Sequence, residues 1–236
     1  MNNDNNQKIT TPIAIIIAGV LIMIGIIISN NGLFNTNNQK TLSEQVGVNK
    51  NKFDKCFKSI DLEDFYNKIK EDGESAFSAI PENERGTPYS IIIGKNGVKA
   101  EIRGAYPKEE ILKIIQEVKD GKISSSYQGE VESYKEGDHI MGDPDAEITI
   151  IEYSDLECPY CKKLSNTLKE IVDESDGSVS WIYRHWIIHQ NAIAKAAAAE
   201  CVAEIKGNDA FWKYIDLIFG LIESQDDTEE ELVNTL

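Results

Sequence analysis

Cysteine is scarce in this chain: four in 236 residues, at positions 56, 158, 161 and 201. That is too few for a small fold held together mainly by disulfides. Histidine is scarcer still, with three, at 139, 185 and 189. Neither residue type shows the paired spacing of a complete zinc module. Basic residues are outnumbered, 24 Lys plus Arg against 40 Asp plus Glu, which gives a formal net charge of −16. Lys8 and Asp4 cancel ahead of the first apolar run, so the rest of the chain carries the same charge. An acidic surface repels phosphate, and nucleic acid is excluded as the expected partner. Apolar residues are not lacking: at 41% they are too many for a wholly disordered chain. The length is about one and a half typical domains. One core with appendages fits, and three domains do not.

One apolar run stands apart. Ile13 to Ile28 has no charged side chain. With Thr10, Thr11, Pro12 and Ser29 it reaches about twenty residues, roughly 30 Å as a helix. We expect residues 12–29 to be an uncleaved membrane anchor. Lys8 and the amino terminus favour a cytoplasmic N-terminus. A cleaved signal peptide and a buried core helix are the alternatives. Either of the first two exports the rest of the chain to a compartment where disulfides persist.

Beyond residue 40 the pattern is α/β. Phe53, Cys56, Phe57 and Ile60 fall at helical spacing, as do Leu62, Phe65, Tyr66 and Ile69. Gly86-Thr87-Pro88 interrupts, and 88–104 reads as a hairpin turning at Lys95-Asn96-Gly97. Pro107 opens a helix with Ile111, Leu112, Ile115 and Val118 on one face. Residues 121–137 are polar and read as a linker. Then come a strand at 148–153, a helix from Pro159, and a strand at 179–183. An alanine-rich helix around 190–206, an aromatic helix around 209–222 and a last helix around 228–236 complete the chain. We therefore expect 1–40 to be anchor and tether and 41–236 to be one domain. Within it the linker 121–137 joins 41–120 to 138–236.

The chemistry-bearing motif is Cys158-Pro159-Tyr160-Cys161, at a strand-to-helix junction. Cys158 falls at the helix start, where the dipole stabilises a thiolate. Cys161 falls one turn in, on the inward stripe. An exposed attacking sulfur and a shielded resolving sulfur are the parts needed for thiol–disulfide exchange. Asp155 and Glu157 oppose thiolate formation by their charge. Half of a zinc site is one alternative, although no second CxxC exists. A purely structural bridge is another, although so short a loop stabilises little.

Ile150 to Glu157 running into CPYC resembles the active-site strand of DsbA-like thiol–disulfide oxidoreductases of thioredoxin fold. Tyr183-Arg184-His185, His189, the alanine-rich helix and Phe211-Trp212 resemble the stretch that follows in that family, with Trp186 and Ile187 where a proline is frequent. Gly86-Thr87-Pro88 resembles its cis-proline loop, and Gly104 to Pro107 with the next helix its C-terminal end. The resemblance implies that Cys158 attacks, Cys161 resolves, Pro159 and Tyr160 tune the pair, and Thr87 and Pro88 bind substrate backbone. It implies that Glu152 is a buried acid that moves protons for Cys161; the alternative is a carboxylate facing water. It also implies a structural disulfide between Cys56 and Cys201 in a helical insertion, against free buried thiols.

The order is unusual. In the family the cis-proline loop, hairpin and last helix follow the CxxC; here they precede it. We expect one circularly permuted thioredoxin-like domain behind a transmembrane helix, with two half-domains completed by another chain as the alternative. The expected function is a membrane-tethered, extracytoplasmic oxidoreductase acting on exported protein thiols, as an oxidase. It needs no cofactor or metal beyond its own disulfide. A DsbB-like or other quinone-linked membrane partner would reoxidise it. A reductase or isomerase of the same fold, and a redox-inert chaperone-like or metal-handling module, are the competing expectations.

Overall fold

The structure, a computed structural model, describes residues 40–123 and 127–222. The anchor expected at 12–29 and the helix expected at 228–236 lie outside the described residues. No helix among the described residues is long and apolar enough to cross a membrane.

Three capped helices open the described chain. Thr41 and Glu44 form a reciprocal capping box that starts α1 (Leu42–Gln45). Asn49 caps α2 (Lys50–Ser59) and Asp61 caps α3 (Leu62–Glu74), each side chain accepting two backbone N–H groups. The expected hairpin is β1 (Tyr89–Gly94) with β2 (Lys99–Arg103). Pro107 is the N-cap of α4 (Lys108–Lys119). After it come β3 (His139–Met141), β4 (Ile148–Ser154), α5 (Pro159–Glu174), β5 (Val179–His185), α6 (Ala192–Lys206) and α7 (Asn208–Phe219).

The five strands lie in the order β2-β1-β4-β5-β3. β4 is central, antiparallel to β1 and parallel to β5. Its neighbours come from before and after it in the same chain, so β4 is paired on both sides without a second molecule. β4 is apolar on alternate residues toward both sides, and both faces are covered. One face carries Ile92, Ile102, Ile148, Ile150 and Trp181 against α4, α5 and α7. The other carries Tyr89, Ile91, Ile151 and Tyr153 against Phe77 and Trp186. Gly73 is what lets α3 approach that second face, since a Cβ there would fall 2.6 Å from the Trp186 ring.

Two sequence expectations need correction. Part of the linker expected at 121–137 is docked on the core, at residues 127–131. Tyr127 is buried in the second core with Val131 beside it, and Glu130 N–H donates to the Ser75 carbonyl. A Cβ on Gly129 would meet the Ala76 carbonyl at 2.8 Å, so glycine is required for that docking. The edge strand β3 was not anticipated. It has three residues, too few to show alternation, and owes its existence to pairing with β5.

Candidate thiol site

β4 ends at Ser154, and a short turn carries the chain into α5. Cys158 is the helix N-cap and Pro159 its first residue, where proline's fixed φ and missing N–H cost nothing. The Cys158 N–H donates to the Asp155 carbonyl at 3.1 Å, and the Asp155 N–H donates to Cys161 Sγ at 3.4 Å. One residue thus holds both cysteines through its backbone. Both are free thiols.

The Thr87-Pro88 peptide is cis and lies against this turn. The Cys158 thiol donates to the Thr87 carbonyl at 3.4 Å, although 71 positions separate them. Here the structure overturns one expectation. Cys158 is not exposed: it is 3% accessible, and Cys161 is wholly buried. The Thr87 carbonyl and the surrounding apolar core cover the sulfur in the dithiol form. Tyr160, at 56%, is the motif residue that faces solvent.

The two thiols are split in acidity. The neighbouring Cys161 thiol, the Thr87 side chain and the first N–H groups of α5 hold Cys158 down to about 6, although burial opposes them. Burial, then the hydrogen bond with Cys158 and the charges of Glu152 and Cys158, push Cys161 well above the usual thiol range. Glu152 sits fully buried beneath the pair, as one of the two alternatives required, and burial raises its carboxyl to about 8. Ser154 Oγ donates to Glu152 Oε1 at 2.7 Å and offsets only part of that shift.

Asp155 behaves differently from its sequence-based reading. It is fully buried, and its carboxylate accepts from the N–H groups of Glu157 (2.7 Å), Ile188 (2.8 Å) and His189 (2.9 Å). Those bonds absorb the charge that the sequence sets against the thiolate. The carboxylate caps its own turn and pins the β5–α6 connector to it. The signal was present in the sequence, since Asp commonly accepts the N–H two residues on. Glu157 extends the same clamp by accepting from Asn191 N–H and pairing with Lys195.

Farther out, Cys56 and Cys201 form a disulfide joining α2 to α6. His139 and His185 both face Glu200 Oε1, at 2.9 and 3.1 Å, and His189 Nδ1 lies 3.2 Å from Asp155. Among the described residues no group of three or more His, Cys, Asp or Glu side chains is arranged to hold a metal ion. Chemically, the site offers a thiolate-forming sulfur, an adjacent protonated thiol, a proton-holding acid below them and a backbone carbonyl facing them.

Residues 134–234 match the family model described as Thioredoxin. The chain is 33% identical over 97 residues to the Na(+)/H(+) antiporter NhaA 1 of Mycolicibacterium gilvum, covering 40% of this chain and 15% of that protein. It is 37% identical over 84 residues to the Na(+)/H(+) antiporter NhaA 3 of Salinispora tropica, covering 34% and 12%. The chain therefore spans only about one seventh of the length of these curated relatives. It is also similar to Pseudomonas aeruginosa DsbA2, with 38% identity, 37% of this chain and 50% of that one covered, and a TM-score of 0.34. Residues 134–234, with the strand–CPYC–helix unit inside them, are similar to the thioredoxin family.

Proposed function

We propose that this protein is a membrane-tethered, extracytoplasmic thiol–disulfide oxidoreductase that works as an oxidase of exported protein thiols. The observation that carries the reading is the split between the two cysteines, one held down to about 6 and its neighbour pushed up. A stabilised Cys158 thiolate favours the reduced enzyme, and that makes its disulfide a strong oxidant. In the oxidised enzyme a substrate thiolate attacks Cys158, the Cys158–Cys161 bond breaks, and Cys161 leaves and takes a proton. A second substrate thiolate then attacks the substrate sulfur of the mixed disulfide. The substrate disulfide forms, and Cys158 leaves as the thiolate its surroundings favour. Thr87 and Pro88 would align the substrate backbone, and Tyr160 would contact it. A quinone-linked, DsbB-like membrane protein would restore the disulfide, and residues 12–29 would hold the enzyme beside it.

We also read the chain as circularly permuted. The family match begins at residue 134, after the cis-proline, the hairpin and α4. Those elements nevertheless supply β4 with its antiparallel neighbour.

The deciding measurement is the reduction potential of the CPYC pair against glutathione. A value above about −200 mV supports the oxidase, and one near about −270 mV assigns a reductase instead. The 3% exposure of Cys158 favours a second reading, a redox-inert binding module. That module would leave Cys158 unalkylated at neutral pH.

A further inference from the structure

Cys161 is wholly buried, so a negative charge that develops on its sulfur has to be met from inside the protein. One donor reaches it there: the Asp155 N–H, at 3.4 Å from Cys161 Sγ. Burial raises the Cys161 thiol most, and this N–H draws it back. The peptide that carries the N–H is fixed from its far edge. In a trans peptide the carbonyl and the N–H point opposite ways. The carbonyl of the Ser154–Asp155 peptide accepts from Trp186 N–H at 2.8 Å, and the N–H on the other edge meets the sulfur. A peptide that accepts at one end donates better at the other.

The Asp155 side chain holds the same connector a second time. Its Oδ2 accepts from Ile188 and His189 N–H groups at 2.8 and 2.9 Å. Its Oδ1 accepts from Glu157 N–H at 2.7 Å, and His189 Nδ1 lies 3.2 Å from that oxygen. Three backbone donors on two oxygens call for a short side chain with acceptors only, which is aspartate. The β5–α6 connector and the thiol turn are thus joined by the Ser154 carbonyl and by the Asp155 carboxylate, on either side of the N–H that faces Cys161.

We propose that Asp155 is a positioning residue for the leaving sulfur: its carboxylate locks the β5–α6 connector to the thiol turn, and the lock keeps the Asp155 N–H aimed at Cys161. This inference rests on the oxidoreductase reading above. In substrate oxidation a substrate thiolate attacks Cys158. The bond between the substrate sulfur and Cys158 forms, the Cys158–Cys161 bond breaks, and its electron pair goes to Cys161. The negative charge then faces the Asp155 N–H until a proton arrives. A second substrate thiolate takes the substrate sulfur from Cys158, so the substrate is oxidised and the pair reduced. In the disulfide and in the protonated thiol the Cys161 sulfur is a weak acceptor. The bond therefore strengthens only while charge is present. It lowers the barrier in both directions and leaves the balance between the end states alone.

The test compares Asp155→Asn with Asp155→Ala in the full-length protein. Both lose the negative charge. Asn keeps an oxygen that can accept from the Ile188 and His189 N–H groups, and Ala keeps none. Rapid mixing reads two rates: reduction of the oxidised protein by glutathione, and the first-order limit for the reduced protein at saturating oxidised glutathione. We expect the Ala variant to be slower than the Asn variant by about tenfold or more in both. The reduction potentials of the two variants should agree to within about 30 mV, the shift that a tenfold change in equilibrium constant would produce. Equal rates in the two variants would overturn the positioning role and leave the oxidoreductase reading intact. A slower Ala variant whose potential differs by more than that would also overturn it, by placing the effect on the end states. If the Ala variant does not melt cooperatively, Ile188→Pro replaces it. That change deletes one donor to Asp155 at a residue 48% exposed and keeps the charge. Both rates should then fall at the wild-type potential, and wild-type rates would overturn the proposal. A wild-type protein that does not exchange with glutathione would remove the oxidoreductase reading and this inference with it.

Discussion

Cys158 combines two opposed properties: it is the more acidic thiol and it is almost fully covered. The polar part of its cover is the Thr87 carbonyl, and the rest is the apolar core around it. Iodoacetamide should therefore react with Cys158 before Cys161. Its rate should rise as pH passes through about 6, where the thiolate forms. Equal labelling of both cysteines would refute the assignment. Glu152 makes a different residue-scale prediction. Its folded carboxyl is raised from 4.5 to about 8. The fold therefore holds a proton that the unfolded chain has lost, and stability falls as pH rises from 4.5 toward 8. Glu152→Gln should match wild type near pH 4 in chemical denaturation. Above pH 8 it should be the more stable, by on the order of a few kcal/mol. The motif itself was legible in the sequence because spacing alone sets CPYC at a strand–helix junction. The burial of Cys158 was not, because the covering group is 71 residues distant. Asp155 was misread because a charge count ignores the backbone donors that a turn directs at it.

At the scale of elements, α6 is buried on most of its circumference by alanines, whose small side chains let α2, α3 and α7 approach together. Such a helix contributes little apolar area per residue, and the Cys56–Cys201 bridge compensates by fixing α2 to it across 145 positions. Replacing both cysteines by serine should lower stability by about 2–4 kcal/mol in oxidising buffer. Rates of glutathione exchange at the CPYC pair should be unaffected. Loss of exchange in a variant that still melts cooperatively would show that the helical insertion shapes the site. Helices and inner strands were legible because their periods run for several repeats. β3 and the docked 127–131 segment were not, because their placement depends on partners that a local pattern does not contain.

For the molecule as a whole, the thiol pair and the Thr87 carbonyl belong to one chain, at the ends of the paired strands β4 and β1. Specific activity in insulin reduction or substrate oxidation should therefore stay constant on dilution. A fall with concentration would mean that the two halves are exchanged between subunits. The order in which the halves are made has a further consequence. β1 and Cys56 are synthesised well before β4 and Cys201. As the chain grows, the hairpin waits with its inner edge unpaired. The thiol of Cys56 waits too, and Cys158 and Cys161 reach it before its proper partner does. With an outside disulfide or quinone-linked oxidant present, the first bridge open to the growing chain is a non-native one, from Cys56 to Cys158. If such a bridge forms, attack of the Cys201 thiolate on Cys56 would release Cys158 as a thiolate and give the native Cys56–Cys201 pair.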